Sequence, residues 1–193
     1  MPAPIILASS SPYRAQLLSK LGLTFDQCSP DIDETPHPGE SARELVMRLA
    51  EAKARAVATQ HPHALIIASD QVAVLNGTIL GKPGNHNAAV DQLRNTSGKQ
   101  VEFLTSLAVL NADTNRLQLE VEPFVVQFRE LSDRQIENYL RKEQPYNCAG
   151  AFKSESLGIA LFSRLQGDDP NSLVGLPLIR LIRLLEQEKV FVI

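Results

Sequence analysis

The chain has 193 residues, 44% of them hydrophobic and 21% charged, enough to bury a core without covalent staples. Its net charge of −3 argues against a nucleic-acid-binding surface, which carries an excess of Lys and Arg. Two cysteines, Cys28 and Cys148, stand outside any C-x-x-C or Cys/His cluster. They read as reduced thiols, zinc has no ligand set, and no segment is apolar for the length of a membrane span, so the expected location is the cytoplasm.

The first apolar run, Ile5 to Ala8, predicts a strand that feeds the hydroxyl-rich turn Ser9-Ser10-Ser11 and a helix from Pro12. Ser11 suits the N-cap and Pro12 the first helical position, so the N–H groups of that turn are expected to face an anion such as phosphate. Arg14 lies on the same stripe as Leu17, Leu18 and Leu21, where a structural helix would carry another apolar residue. Either it meets an anion there or its stem packs while its head reaches water.

Thr24 to Cys28 predicts a short strand, followed by an acidic, Pro-rich loop containing Asp31, Asp33 and Glu34. Those carboxylates suit a hard cation, and equally a solvated loop. Ser41 and Glu44 have capping-box spacing ahead of a long amphipathic helix. Lys53 falls on its buried stripe, so its ammonium needs an anion or a route to water.

Ala64 to Ala68 predicts a buried strand with Asp70 at its end, where open α/β sheets face their ligands. An aspartate there can hold a metal or take a proton from water, and is the first choice for a catalytic base. Asn76-Gly77 marks a hairpin, and Gly81-Lys82-Pro83 places a third cation in a stiff loop without the frame of a Walker A motif. Asn87 to Arg94 predicts a helix, Val101 to Leu110 and Leu117 to Phe128 a long hairpin, and Ser132 to Arg141 a capped helix. Leu157 to Leu165 predicts a strand and Leu176 to Glu188 the last helix. The expected class is α/β: one mixed, elongated sheet with flanking helices, bent into two lobes around a central cleft.

Ser9-Ser10-Ser11-Pro12-Tyr13-Arg14, Asp33-Glu34, Glu51-Ala52-Lys53, Ser69-Asp70-Gln71, Gly81-Lys82-Pro83, Ala149-Gly150 and Val174-Gly175-Leu176-Pro177 follow one another in an order that resembles the Maf family of nucleotide pyrophosphatases. The resemblance covers nearly all of residues 1–193 as one Maf-like domain. It implies the inosine-triphosphatase-like (Maf/Ham) fold, commonly a homodimer, and hydrolysis of a nucleoside triphosphate to the monophosphate and pyrophosphate with magnesium or manganese. Asp70 matches the family's proton acceptor. Ser9, Ser10, Arg14, Lys53 and Lys82 are expected on the phosphates, and Asp70 with Glu34 on the metal. Tyr13, Gln71 and Glu155 replace the Arg, Thr and Gln of the branch acting on dTTP and UTP, and resemble the branch that hydrolyses 7-methyl-GTP. A pyrophosphatase for another nucleotide and a nucleotide-binding regulator of cell division are the alternatives.

Overall fold

The computed structural model describes residues 3–193. Its strands are β1 (Ile5–Ala8), β2 (Asp26–Cys28), β3 (Leu65–Leu75), β4 (Thr78–Leu80), β5 (Gln100–Asn111), β6 (Arg116–Phe128) and β7 (Phe162–Gln166). The helices are α1 (Pro12–Ser19), α2 (Ala42–Ala58), α3 (His86–Thr96), α4 (Asp133–Glu143), α5 (Asn171–Val174) and α6 (Leu178–Gln187). The strands form one mixed sheet in the order β2-β1-β3-β5-β6-β7, with β4 paired to β3. Contacts group the chain into two compact units. Among the described residues no helix is long and apolar enough to cross a membrane.

The first unit comprises the described residues up to Asp70, Thr105–Glu122 and Asp169–Ile193. Here β1 pairs in parallel with both β2 and β3, Ile5 to Leu7 opposite Leu65 to Ile67 on the latter. Side chains of a strand alternate between faces, and this sheet uses both. Ile5, Leu7, Leu65 and Ile67 join Leu17, Leu18, Leu107, Val109 and the α6 residues Leu181, Leu184 and Leu185 in one core layer. Ile6, Ala8, Ile66 and Ala68 join Ala50, Ala54 and Val57 of α2 in the other. The small residues on α2 let that helix approach the sheet closely.

Several local expectations are met by the cap chemistry that motivated them. Ser11 caps α1 with Pro12 at its start, and Ser41 caps α2 in a reciprocal capping box with Glu44. Ser132 does the same for α4 with Gln135. Asn76 and Gly77 both take positive φ, as a tight β3–β4 hairpin requires.

The second unit, Gln71–Leu104 with Pro123–Asp168, packs around Phe103, Phe128, Phe152 and Phe162, whose rings meet edge to face at centroid distances of 4.8 to 5.9 Å. Gly150 sits against this cluster at φ +76, and a Cβ there would lie 3.2 Å from both Phe103 and Phe152. The Ala149-Gly150 motif is therefore a packing element of this unit.

Three boundaries differ from the sequence expectation. Asp70 is interior to an 11-residue strand rather than at its end. The β1–β3 ladder stops at Leu7 opposite Ile67, because β1 turns into α1 after Ala8. Ser69 and Asp70 therefore still lie at the carboxyl end of the parallel pairing. Leu157–Leu161 forms a 3-10 turn before β7 rather than more strand. Gly158 brings its backbone so close to Lys153 that a Cβ would sit 2.2 Å from the Lys153 carbonyl oxygen, which coils this segment back on itself. The C-terminal helix is preceded by α5, because Gly175 at φ +114 ends one helix and Pro177 precedes the next.

Candidate active site

The alternation that builds the two core layers continues into the site. Ser69 follows Leu65 and Ile67 in parity and faces the α1 and α6 layer, whereas Asp70 follows Ile66 and Ala68 and faces α2. Lys53 of α2, only 6% exposed, meets it there with Nζ 2.6 Å from Asp70 Oδ1. The same ammonium lies 2.7 Å from Glu34 Oε1 in the acidic loop, where the Glu34 side chain is half exposed.

This arrangement decides between the two readings of the lysine: it meets anions rather than water. They are the protein's own carboxylates, Asp70 and Glu34. Asp33 is committed elsewhere. Its Oδ1 accepts from the Thr35 N–H at 2.9 Å, a local turn that holds its carboxyl below the usual range.

The backbone of Asp70 is fixed from β5. The Ser106 hydroxyl accepts from the Asp70 N–H at 3.0 Å and donates to the Val46 carbonyl of α2 at 2.7 Å. A completely buried hydroxyl thereby ties the strand carrying Asp70 to the helix carrying Lys53. Sequence reasoning missed Ser106, although the polar pair Thr105-Ser106 inside the apolar run Val101 to Leu110 was the available signal.

On the other face, Arg14 donates from Nε to the Gly175 carbonyl at 2.9 Å and from Nη1 to the Ser69 carbonyl at 2.8 Å. The Ser69 hydroxyl donates to the same Gly175 oxygen at 2.8 Å. Desolvation pulls the guanidinium below its ordinary value, and the negative fields of Asp70 and Glu34 oppose that shift. The cation on the α1 stripe is thus anchored by two carbonyls on one side and feels two carboxylates through space.

Ser9 is buried just past β1, and its hydroxyl accepts from the Ser11 N–H at 3.1 Å, while Ser10 is exposed beside it. Ser11 in turn accepts from the Arg14 N–H. Two donors of this turn are therefore used internally, fewer facing outward than the sequence suggested. Tyr13 is half-buried on α1.

Three expected site residues belong to the second unit. Gln71 is half-buried in β3, Lys82 is exposed in the loop after β4, and Glu155 is exposed with Ser154 as a neighbouring hydroxyl donor. The Glu155 turn is held by its flanks: the Lys153 N–H donates to the buried Tyr139 hydroxyl at 3.1 Å, and Lys153 Nζ to the Glu143 carbonyl at 2.9 Å.

Among the described residues no cluster of three or more His, Cys, Asp or Glu could cage a metal. Asp70 and Glu34, held together through Lys53, are two hard oxygen donors in one place. That set fits a magnesium-type ion, which is bound through one or two carboxylates plus substrate phosphates rather than by an all-protein shell.

A family model described as Maf-like protein matches residues 4–188. A Nitrosococcus oceani protein named 7-methyl-GTP pyrophosphatase is 61% identical over 188 residues, covering 96% of this chain and 94% of that protein. Relatives of the same name from Methylobacillus flagellatus and Alcanivorax borkumensis are 57% and 59% identical, over 98% and 96% of this chain and 99% and 94% of their own lengths. Among solved structures, the Staphylococcus aureus Ham1 protein aligns with a TM-score of 0.53 at 16% identity, over 96% of this chain and 99% of that one, a likeness of fold. With the family pattern matched over residues 4–188 and relatives this similar over nearly its full length, the chain belongs to the Maf family.

Proposed function

We propose that the chain hydrolyses 7-methyl-GTP to 7-methyl-GMP and pyrophosphate. The observation that carries this reading is the shared name of three relatives, each at least 57% identical over nearly the whole chain. The chemistry of the first unit agrees with it: a carboxylate only 8% exposed stands at the carboxyl end of the parallel strands, with two cations nearby.

Asp70 accepts the proton from a water as the water oxygen bonds to the α-phosphorus, and the bond from that phosphorus to the bridging oxygen of the β-phosphate breaks, releasing pyrophosphate. Lys53 orients the Asp70 carboxylate by holding Oδ1, which leaves Oδ2 for water. Arg14, Lys53 and Lys82 balance the phosphate charge, with Ser9 and Ser10 adding hydroxyl donors. Asp70 and Glu34 would hold magnesium or manganese, which supplies charge neutralisation on the phosphates.

Base choice falls to Tyr13, Gln71 and Glu155, and the support is residue chemistry. Guanine offers two donors on its Watson–Crick edge, which one carboxylate accepts together, whereas uracil or thymine sets its single donor between repelling acceptors. Methylation at N7 makes the base cationic, which suits an acidic side chain and an aromatic face. We further propose a homodimer working in the cytoplasm, without nucleic-acid partners.

The test is pyrophosphate release with magnesium from a panel of 7-methyl-GTP, GTP, ITP, UTP, dTTP and CTP, beside Asp70→Asn. Release is expected to be fastest from 7-methyl-GTP, and to be slowed on the order of a hundredfold or more in the variant. Preference for UTP or dTTP overturns the substrate, and nucleotide binding without release overturns the enzyme in favour of a regulator.

A further inference from the structure

Asp169 is the best-buried carboxylate outside the mechanism, at 1% exposure, and among the described residues no cation pairs with it. A buried carboxylate without a counter-ion persists only if N–H donors replace its water. Here there are three. Oδ1 accepts from the backbone N–H of Asn171 at 2.9 Å and from its side-chain amide at 2.7 Å, and Oδ2 accepts from the Ile179 N–H at 2.7 Å. Asn171 opens α5 and Ile179 is in the first turn of α6. One side chain therefore clamps the starts of both helices, and between them lies only Gly175-Leu176-Pro177.

That short bridge carries the Gly175 carbonyl to which Arg14 Nε and the Ser69 hydroxyl donate. Gly175 ends α5 at φ +114 with its N–H bonded to the Ser172 carbonyl at 2.9 Å, so its carbonyl direction is set by where α5 sits. A Cβ there would lie 3.1 Å from Arg14 Nε, so the chain approaches the guanidinium as closely as a residue without a side chain allows. Thr105 of β5 holds the Ser172 carbonyl at 2.9 Å from the sheet side. The path from Asp169 to Arg14 is continuous and local, with no flexible side chain between the clamp and the carbonyl.

We infer that Asp169 is a positioning residue for catalysis: by clamping the starts of α5 and α6 it fixes the Gly175 carbonyl and, through it, the direction in which Arg14 presents its guanidinium to an anionic ligand. The inference rests on the reading that Arg14 holds substrate phosphate. Asp169→Asn preserves shape but can no longer accept from both helix starts, since one oxygen becomes an NH2 that opposes an N–H donor.

The experiment measures kcat/KM for 7-methyl-GTP in four proteins, with and without Asp169→Asn and with and without Arg14→Ala, together with solvent exchange of the Arg14 Nε–H by NMR of nitrogen-labelled arginine. The expected result is a loss on the order of ten- to a hundredfold from Asp169→Asn in the chain that has Arg14, and less than about twofold in the Arg14→Ala chain, with faster Nε–H exchange. An equal fractional loss in both backgrounds, or unchanged Nε–H exchange, overturns the positioning role. If Arg14→Ala alone leaves kcat/KM unchanged, the phosphate reading fails instead, and the exchange measurement still decides whether Asp169 fixes the guanidinium. Should Asp169→Asn not fold, Ile179→Pro replaces it in the same cycle, because a first helical turn tolerates proline and the change removes the N–H that donates to Oδ2.

Discussion

Ser69 and Asp70 are adjacent in β3 and serve opposite faces of the sheet, Ser69 donating to the Gly175 carbonyl and Asp70 receiving Lys53. One strand thereby ties together the α1 side, where Arg14 is anchored, and the α2 side, where the carboxylate is held. A shift of β3 by one residue would exchange the two faces and place a hydroxyl before Lys53, so register is a chemical requirement here as much as a packing one.

The Lys53–Asp70 pair sets the first expectation. Replacing Lys53 by methionine keeps the stem and removes the charge, leaving Asp70 and Glu34 without their shared cation. A nearly buried carboxylate that loses its partner costs on the order of 1–3 kcal/mol of stability. Adding Asp70→Asn to Lys53→Met should return part of that loss, since a neutral pair has no stranded charge. Urea unfolding of the four proteins checks this, and simple additivity would show that the pair carries no coupling.

Ser106 gives a second expectation that separates structure from chemistry. Ser106→Ala leaves the Asp70 N–H without its acceptor and takes from the Val46 carbonyl the donor it has besides the α2 ladder, both in a fully buried setting. A loss of roughly 1–3 kcal/mol in unfolding free energy should result. Because the same hydroxyl ties the Asp70 backbone to α2, kcat should fall while KM changes little, read from pyrophosphate release in protein verified as folded.

Much of the site was legible because it follows from local rules. The apolar runs of β1 and β3, the Ser11 cap and the cations on two helical stripes marked Arg14, Lys53 and Asp70 from sequence alone. What escaped depends on pairings far apart in the chain. Gly175 is 161 residues from the Arg14 it anchors, and no period or spacing connects them. Nothing in the polar run Gly167-Asp168-Asp169-Pro170 marks Asp169, because a cap shared by two helices needs both helices in place before it can be seen. Lys53 was identified by its stripe, but its partners became visible only once the acidic loop closed over it.

Glu155 supplies the expectation for specificity. Glu155→Gln keeps size and one acceptor but offers an NH2 where the carboxylate accepted a second donor. The ratio of kcat/KM for 7-methyl-GTP to that for UTP should fall by about tenfold or more, mostly through the cationic purine. Steady-state kinetics on the two nucleotides measures it, and an unchanged ratio would remove Glu155 from base selection.

The loop that delivers Glu34 has its own pH dependence, set by Glu40. Arg48 of α2 grips that carboxylate with Nε at 2.6 Å and Nη2 at 2.8 Å, reaches the Thr35 carbonyl at 3.1 Å, and the His37 N–H adds a bond at 3.0 Å. The Arg48 bonds hold the Glu40 carboxyl down at about 2, well below its ordinary 4.5. Because the folded value is the lower one, the clasp contributes fully above pH 4.5. Its contribution drains as pH falls from there through about 2, the unfolded chain taking up the proton first. Asp33 and Glu44 are also held below their ordinary values by hydrogen bonds from Thr35 and Ser41, so the native curve alone does not isolate Glu40. Comparison with Glu40→Gln does. The stability gap between the two proteins should be constant from neutral pH down to 4.5 and then close towards pH 2, measured by urea unfolding at stepped pH. Protection of the His37 amide, its exchange relative to an unstructured peptide at the same pH, should fall over the same interval in the native protein and be low throughout in the variant. No gap at neutral pH would mean that Arg48 orders the loop through the Thr35 carbonyl rather than through the carboxylate.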